Sequence, residues 1–177
     1  PLALNMYLLG YNSRKKLVSV NQAVKENLRT YLGQYRMITD AINLKDAFVI
    51  NIGVKFNILT KPTANKNEVL TRAIEEVKTF FEVDRWQINQ PIVLADLVYR
   101  LSLVDGVSGV VPPKEDNLAS NPIIITNKYK TADGYSGNLY DIDSATKNGV
   151  IYPSLDPSIF ELKFPASDIE GRVVGDY

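Results

Sequence analysis

The sequence predicts an α+β fold: a β-α-α-β core with an additional N-terminal strand and helix, followed by a mostly β or irregular C-terminal arm. Three observations predict this class. Apolar and polar residues alternate from Phe48 to Ile58, two apolar stripes with helical spacing follow within residues 67–103, and four prolines and five glycines punctuate the chain after Pro113. A period of two is typical of a half-buried strand, and a period near 3.6 of an amphipathic helix.

The N-terminal region contains one predicted strand and one predicted helix. Apolar residues between Leu4 and Tyr11 indicate a strand that ends near Gly10. Ser19 and Gln22 have the spacing of a capping box, so we expect Ser19 to cap the helix. One apolar face with helical spacing is then expected, formed by Val20, Val24, Leu28, Tyr31, Leu32 and Tyr35.

Residues 46–59 give the clearest strand signal in the chain. At ~3.3 Å per residue the strand is about 40 Å long, which exceeds the usual strand length. Strict alternation predicts one buried face and one more polar face. The length predicts that the strand either projects beyond its own sheet or bends at a bulge at Gly53, and either makes it a candidate for pairing with another chain.

Two helices are predicted between Pro62 and Pro113. Asn65 or Asn67 is expected to cap the first helix, and Pro91 suits the first position of the second because its missing N–H needs no partner there. The second helix is so rich in apolar residues that we expect cover on both of its sides. The predicted core includes Phe48, Ile50, Ile52, Phe80, Phe81 and Trp86.

The composition changes after Pro113, which predicts a core domain at 1–113 and an extended C-terminal arm at 114–177. The apolar runs of the arm are too short to build a core of their own. We therefore expect the arm to become ordered on the preceding domain or on a partner. Its predicted interface residues are Ile123, Ile125, Tyr152, Phe160 and Phe164.

The composition offers few groups for catalysis. The 177 residues include no His and no Cys, so the commonest general base near neutral pH, the commonest metal ligand and any thiolate nucleophile are missing. Twenty basic residues balance twenty acidic ones, and no apolar run approaches the ~20 residues that span a bilayer. We predict no catalytic, cofactor-binding or metal site, and no nucleic-acid or membrane partner.

One acidic string has the beginning of a calcium-binding loop. Asp141 and Asp143 have the correct spacing, but Ala145 and Thr146 occupy positions that require a ligand and a glycine. We therefore predict a turn at this string. The chain begins with Pro1 and not Met, which indicates a fragment of a longer protein.

Several strings in a fixed order carry a family resemblance. They are residues 46–58, Asn67-Glu68-Val69-Leu70, Asp84-Arg85-Trp86-Gln87-Ile88-Asn89-Gln90-Pro91-Ile92, Val104-Asp105-Gly106-Val107, and the run 141–152 that continues through 156–160 to Asp168 and Gly171-Arg172-Val173. Taken together, they resemble the C-terminal region of a baseplate wedge protein of T-even-type contractile-tailed phages, within the J-like baseplate family. The resemblance covers essentially the whole chain.

The resemblance implies a structural virion component and not an enzyme. It implies a wedge subunit that forms a homodimer, whose dimers join neighbouring wedges into a ring around the tail hub. Other baseplate wedge subunits are the implied partners. The implied location is the tail baseplate of the virion, after assembly in the host cytoplasm. The phage and the ring stoichiometry stay open.

Two other functions stay open on the residues alone. A small α+β module that binds a ligand or nucleic acid is the first, although the neutral charge and the lack of a basic, aromatic sheet face disfavour nucleic acid. An enzyme that uses only carboxylates is the second. A cleft with two facing carboxylates would favour the enzyme, and a protruding strand or arm that packs on a second copy would favour assembly.

Overall fold

The computed structural model describes residues 3–35, 41–113 and 121–175. It confirms the α+β class, because helices and mixed sheets occur together. The chain divides into two compact units, Pro1–Phe48 and Val49–Tyr177. This division replaces the boundary that the sequence predicted after Pro113.

The first unit contains four strands and one helix among its described residues. They are β1 (Ala3–Leu8), β2 (Gly10–Tyr11), β3 (Leu17–Val18), α1 (Gln22–Gly33) and β4 (Ala41–Asp46). β1 and β4 pair in parallel, from Ala3 opposite Ala41 to Leu8 opposite Asp46, and β2 and β3 form a short antiparallel hairpin. The predicted N-terminal strand is therefore divided between β1 and β2.

The start of α1 differs from the prediction. Asn21 is the N-cap, and its side chain accepts a hydrogen bond from the N–H of Ala23. The capping box at Ser19 is wrong because the helix begins at Gln22, directly after Asn21. The N–H of Val20 donates to the Asp46 carboxylate, 26 residues away. No residue of α1 is buried, and Val24, Tyr31 and Tyr35 are exposed, so the predicted apolar face of this helix is open in the described part of the chain.

The second unit is built on one long strand and the elements that follow it. In chain order these are β5 (Phe48–Thr60), α2 (Lys66–Phe80), a 3-10 turn (Val83–Arg85), β6 (Ile92–Val93), α3 (Leu94–Ser102), β7 (Val107–Val111), β8 (Ile123–Asn127), a 3-10 turn (Thr131–Asp133), α4 (Ile142–Ala145), β9 (Thr146–Lys147), β10 (Val150–Ile151), β11 (Ser158–Glu161), α5 (Pro165–Asp168) and β12 (Ile169–Val173). The 3-10 turn and β6 make the interval between α2 and α3 more elaborate than the predicted β-α-α-β unit.

β5 is the central strand of a five-stranded sheet. β8 and β7 follow one another along it in antiparallel pairing, at residues 52–56 and 57–60. β12 pairs in parallel with residues 54–58, and β11 is also hydrogen-bonded to β5. The predicted C-terminal arm is therefore wrong as a separate region, because three of its strands complete the sheet around β5. The long strand finds these partners within its own chain.

β5 is covered on both faces. Ile50, Ile52, Val54, Phe56 and Ile58 are fully buried, as the alternation predicts, but Asn51 and Asn57 on the other face are buried too. The irregularity in pairing lies at Leu59/Thr60 and not at Gly53. At Gly53, an added Cβ would lie 2.9 Å from the hydroxyl oxygen of Thr126, so the glycine permits close packing of neighbouring side chains.

The predicted core is confirmed in part. Ile50, Ile52, Phe81 and Trp86 are buried, whereas Phe48 and Phe80 are half-buried. Of the two predicted caps of α2, Asn65 is the one observed, and it accepts from the N–H groups of Asn67 and Glu68.

The predicted start of α3 at Pro91 is wrong. Ile92 and Val93 form β6 and pair with Ile151 and Val150 of β10, so the helix begins only at Leu94. Pairing with a distant strand therefore decides where this helix begins. In the part of the chain that the structure describes, no helix is long and apolar enough to cross a membrane.

Candidate interaction surface

A groove of about 850 Å³ lies on the second unit, between α2, α3 and the segment that joins them. Its apolar lining comes from all three elements: Phe80, Trp86, Pro91, Val93, Tyr99, Leu103 and Val104. Below, "the α2–α3 groove" means the depression lined by these residues together with Glu76, Arg85, Gln90, Asp96 and Arg100.

α3 presents one open face to the α2–α3 groove. Leu94, Leu97 and Leu101 are buried on the opposite face, whereas Tyr99 and Leu103 are 64% and 65% exposed. The prediction that this helix is covered on both sides is therefore wrong. The missed signal is in the sequence: Asp96, Tyr99 and Arg100 have i, i+3, i+4 spacing, which places them on one helix face, and Leu103 extends it by one turn.

The floor of the groove is a rigid aromatic cluster. Trp86 stacks on Phe81 with ring centroids 5.4 Å apart and an interplanar angle of 17°, and it meets Phe80 edge-on at 6.0 Å. The indole Nε1–H donates to the Phe80 carbonyl oxygen at 2.9 Å. Trp86 is only 8% exposed, so it acts mainly as a core residue, as the sequence predicted.

The charged groups of the groove carry both signs. The Arg100 guanidinium lies over the Phe80 ring, 5.6 Å from its centroid, and its Nη1 is 3.6 Å from Glu76 Oε1. Arg85 pairs with Glu82, with Nε and Oε2 3.4 Å apart. Asp96 is exposed and makes no hydrogen bond or ion pair with another described residue. The groove therefore offers an apolar centre beside charges of opposite sign.

Three of the five predicted interface residues lie in the core of the second unit. Ile123, Ile125 and Phe160 are 1%, 6% and 2% exposed, because β8 and β11 join the central sheet. Their assignment to an assembly surface is wrong. Phe164 is half-buried and packs edge-on against Tyr135 at 5.4 Å. Tyr152 alone of the five is substantially exposed, at 49%, and it lines a second, smaller depression of about 430 Å³.

Two buried carboxylates outside the groove hold the segment after β8 in place. Glu161 Oε1 accepts from the Asn51 side-chain amide at 2.8 Å, and Asn51 Oδ1 accepts from the Ser136 N–H at 2.8 Å. Asp168 accepts from the Tyr135 hydroxyl. Burial raises the pKa of Tyr135 to about 12, and the Asp168 carboxylate adds to this shift. These acids anchor the fold and do not line the α2–α3 groove.

The acidic string at Asp141 caps a short helix where the sequence predicted a turn. Asp141 accepts from the N–H and the hydroxyl of Ser144, at 3.1 and 2.6 Å, and so begins α4. These two hydrogen bonds hold the pKa of Asp141 below its usual value. Among the described residues, no three carboxylates gather where they could hold a metal ion.

A scan against models of protein families finds no match, and a search of curated protein sequences finds no significant similarity.

Proposed function

We propose that this chain is a structural subunit of a phage tail baseplate, which dimerises and links neighbouring wedges into a ring around the tail hub. The observation that supports it best is the α2–α3 groove, where Tyr99 and Leu103 are exposed beside Phe80, Trp86 and Arg100. Tyr, Trp and Arg are the residue types most enriched at the energetic centres of protein interfaces. The family resemblance in the sequence supports the assignment to a baseplate.

The first unit also supports an assembly role. Among its described residues, only Leu17 and Ala47 are buried hydrophobic residues. Its large exposed apolar side chains are Leu4, Tyr11, Val18, Val24, Tyr31 and Tyr35. A unit of this size buries little surface by itself, so cover by a partner would add much of the apolar burial that stabilises it.

The carboxylates of the groove fit an enzyme poorly. Glycoside hydrolysis by two carboxylates requires one with a raised pKa, usually in an apolar pocket. Glu76 forms an ion pair with Arg100, and Asp96 is exposed to water. Neither carboxylate is buried, as a general acid in an apolar pocket would be.

The charge distribution supports a second candidate, a nucleic-acid-binding module. Residues 1–48 carry seven Lys and Arg against three Asp and Glu, so the neutral total conceals a basic first unit. Arg14, Lys15 and Lys16 lie in the turn between β2 and β3. If this is the function, a labelled single-stranded or duplex oligonucleotide should bind, with affinity that falls steeply as salt rises.

The test of the baseplate proposal is immunogold electron microscopy of contractile-tailed virions from the source of the chain. An antibody against the purified protein should label the end of the tail that is distal to the head. Virions without label, in a preparation where the antibody still recognises the purified protein, would overturn the proposal. Sedimentation velocity between about 1 and 100 µM tests self-association separately, because a subunit that dimerises should sediment as a dimer or shift from monomer to dimer as the concentration rises.

A further inference from the structure

We infer that the α2–α3 groove is a self-complementary surface on which two copies of this chain pair through antiparallel α3 helices. The inference deepens the proposed function, on which it rests, by naming the surface of the dimer and its symmetry. A two-fold contact requires one patch that complements itself, so that residue i of one copy meets residue j of the other and the reverse.

The order of residues along α3 meets this requirement. Asp96, Tyr99, Arg100 and Leu103 share one face, with the carboxylate at one end and the guanidinium one turn further on. When a second copy lies antiparallel, this order is reversed. Asp96 of each copy then comes within about one helical turn of Arg100 of the other, and Tyr99 within about one turn of Leu103.

The bonding state of these charges favours the same contact. Asp96 has no partner among the described residues, so a second copy can supply one without breaking an existing bond. Arg100 is held in place by Glu76 and by the face of Phe80, which leaves its planar group preorganised. An arginine fork has several N–H donors and can serve a second carboxylate in addition to Glu76.

A contact through α3 alone would bury too little surface for a stable dimer, so the other residues of the α2–α3 groove must also contact the second copy. α3 contains nine residues, which corresponds to a length of roughly 14 Å. A standard interface buries ~800 Å² from each partner, more than one such helix offers. Phe80 of α2 and the segment around Trp86 extend the apolar patch beyond α3.

The first test is a charge reversal with a matched control. Asp96→Arg places an arginine opposite Arg100 of the partner twice per dimer, and it removes no hydrogen bond of the folded chain. We expect the dissociation constant from sedimentation equilibrium to rise about tenfold or more. Asp156→Arg makes the same change of charge at an exposed site in the β10–β11 connection. This control should leave the dissociation constant within about twofold of the native value. Equal constants for the two variants would overturn the inference.

The second test uses the absence of cysteine in the sequence. Tyr99→Cys introduces a single thiol, and only a two-fold contact brings that thiol close to its own copy. We expect rapid disulfide-linked dimers on mild oxidation, which Leu155→Cys, at a fully exposed position, should not form at the same rate. Equal rates would mean that the groove faces a different partner and would overturn the inference.

The outcomes separate this inference from the proposed function. If the native chain dimerises but Asp96→Arg has no effect, the α3 contact is wrong and self-association stands. If the native chain remains a monomer throughout the concentration range, both the α3 contact and the proposed homodimer fail. Labelling of the virion is independent of both results and still decides whether the chain belongs to a baseplate.

Discussion

The hydroxyl of Tyr135 donates a 2.5 Å hydrogen bond to the buried carboxylate of Asp168, 33 residues away in the sequence. The second oxygen of Asp168 accepts from the N–H of Phe164, which precedes α5. Asp168 thereby connects the segment after β8, through hydrogen bonds, to the turn that leads into β12. This one acid stabilises two neighbouring pieces of irregular backbone in the second unit.

Tyr135→Phe should lower the free energy of unfolding by about 1.5–3 kcal/mol, because Asp168 loses a donor while it stays buried. Urea denaturation followed by Trp86 fluorescence measures the change. Tyr129→Phe is the control, since Tyr129 is exposed. The pKa of Tyr135 is raised from 10.0 to about 12. The stabilisation of the fold by its protonated hydroxyl is therefore complete below pH 10 and is lost as the pH rises through about 12. Equal stability of Tyr135→Phe and the native chain at pH 7 would contradict this account.

Trp86→Ala should cost ~3–5 kcal/mol of stability, because it removes a large buried ring that stacks on Phe81 and contacts Phe80. Thermal unfolding followed by circular dichroism measures the loss. Leu155→Ala removes an apolar side chain that is fully exposed and should change the stability by less than about 0.5 kcal/mol. A Trp86→Ala protein as stable as Leu155→Ala would show that the indole is not a core residue.

Gly106→Ala should be far more damaging than Gly149→Ala, although both glycines have positive φ, at 91° and 75°. A Cβ at Gly106 would meet Val69 Cγ2 at 2.4 Å, whereas nothing lies within 4 Å of the corresponding position at Gly149. The backbone strain common to both costs about 1–3 kcal/mol. Overpacking adds a further ~1–3 kcal/mol at Gly106 alone. Urea denaturation curves of the two variants measure the difference in their stability. Equal midpoints would mean that Val69 moves aside without cost.

The first unit should lose stability in acid through Asp46. Burial tends to raise the pKa of Asp46, but hydrogen bonds from Lys25 Nζ and the Val20 N–H, with the Lys25 charge, bring it below 3.8. A carboxyl group with a lowered pKa stabilises the fold above its unfolded value, and that contribution is lost as the pH falls below 3.8. Hydrogen exchange of the α1 amides should therefore accelerate in this acid range beyond the intrinsic effect of pH.

Asp46→Asn is the matched variant for this pH dependence. Because the substitution removes the ion pair with Lys25, the α1 amides of this variant should exchange faster than those of the native chain near neutral pH. They should show no added acceleration in acid. Asp156→Asn, at an exposed site without a side-chain partner among the described residues, is the control and should behave as the native chain does. Parallel pH profiles for the native chain and Asp46→Asn would remove Asp46 from the explanation.

Local rules were sufficient where a segment is governed by its own neighbours. The alternation from Phe48 to Ile58 predicted β5, because side chains of a strand point to alternate faces. The cap of α2 was predicted at Asn65 or Asn67, and Asn65 takes the role because its side chain satisfies N–H groups within three residues. The exposed face of α3 was also readable in principle from Asp96, Tyr99 and Arg100, but the apolar majority of that helix concealed it.

The sequence by itself determined the α+β class, the central strand, the two main helices and part of the core. The tertiary structure decided which distant segments pair with one another. β8, β11 and β12 pair with β5, so Ile123, Ile125 and Phe160 became core residues of the unit rather than the surface of an arm. Likewise, pairing with β10 moved the start of α3 from Pro91 to Leu94. The physical reason is that strand pairing satisfies backbone hydrogen bonds between residues far apart in the chain, and local periodicity carries no information about which strands will meet.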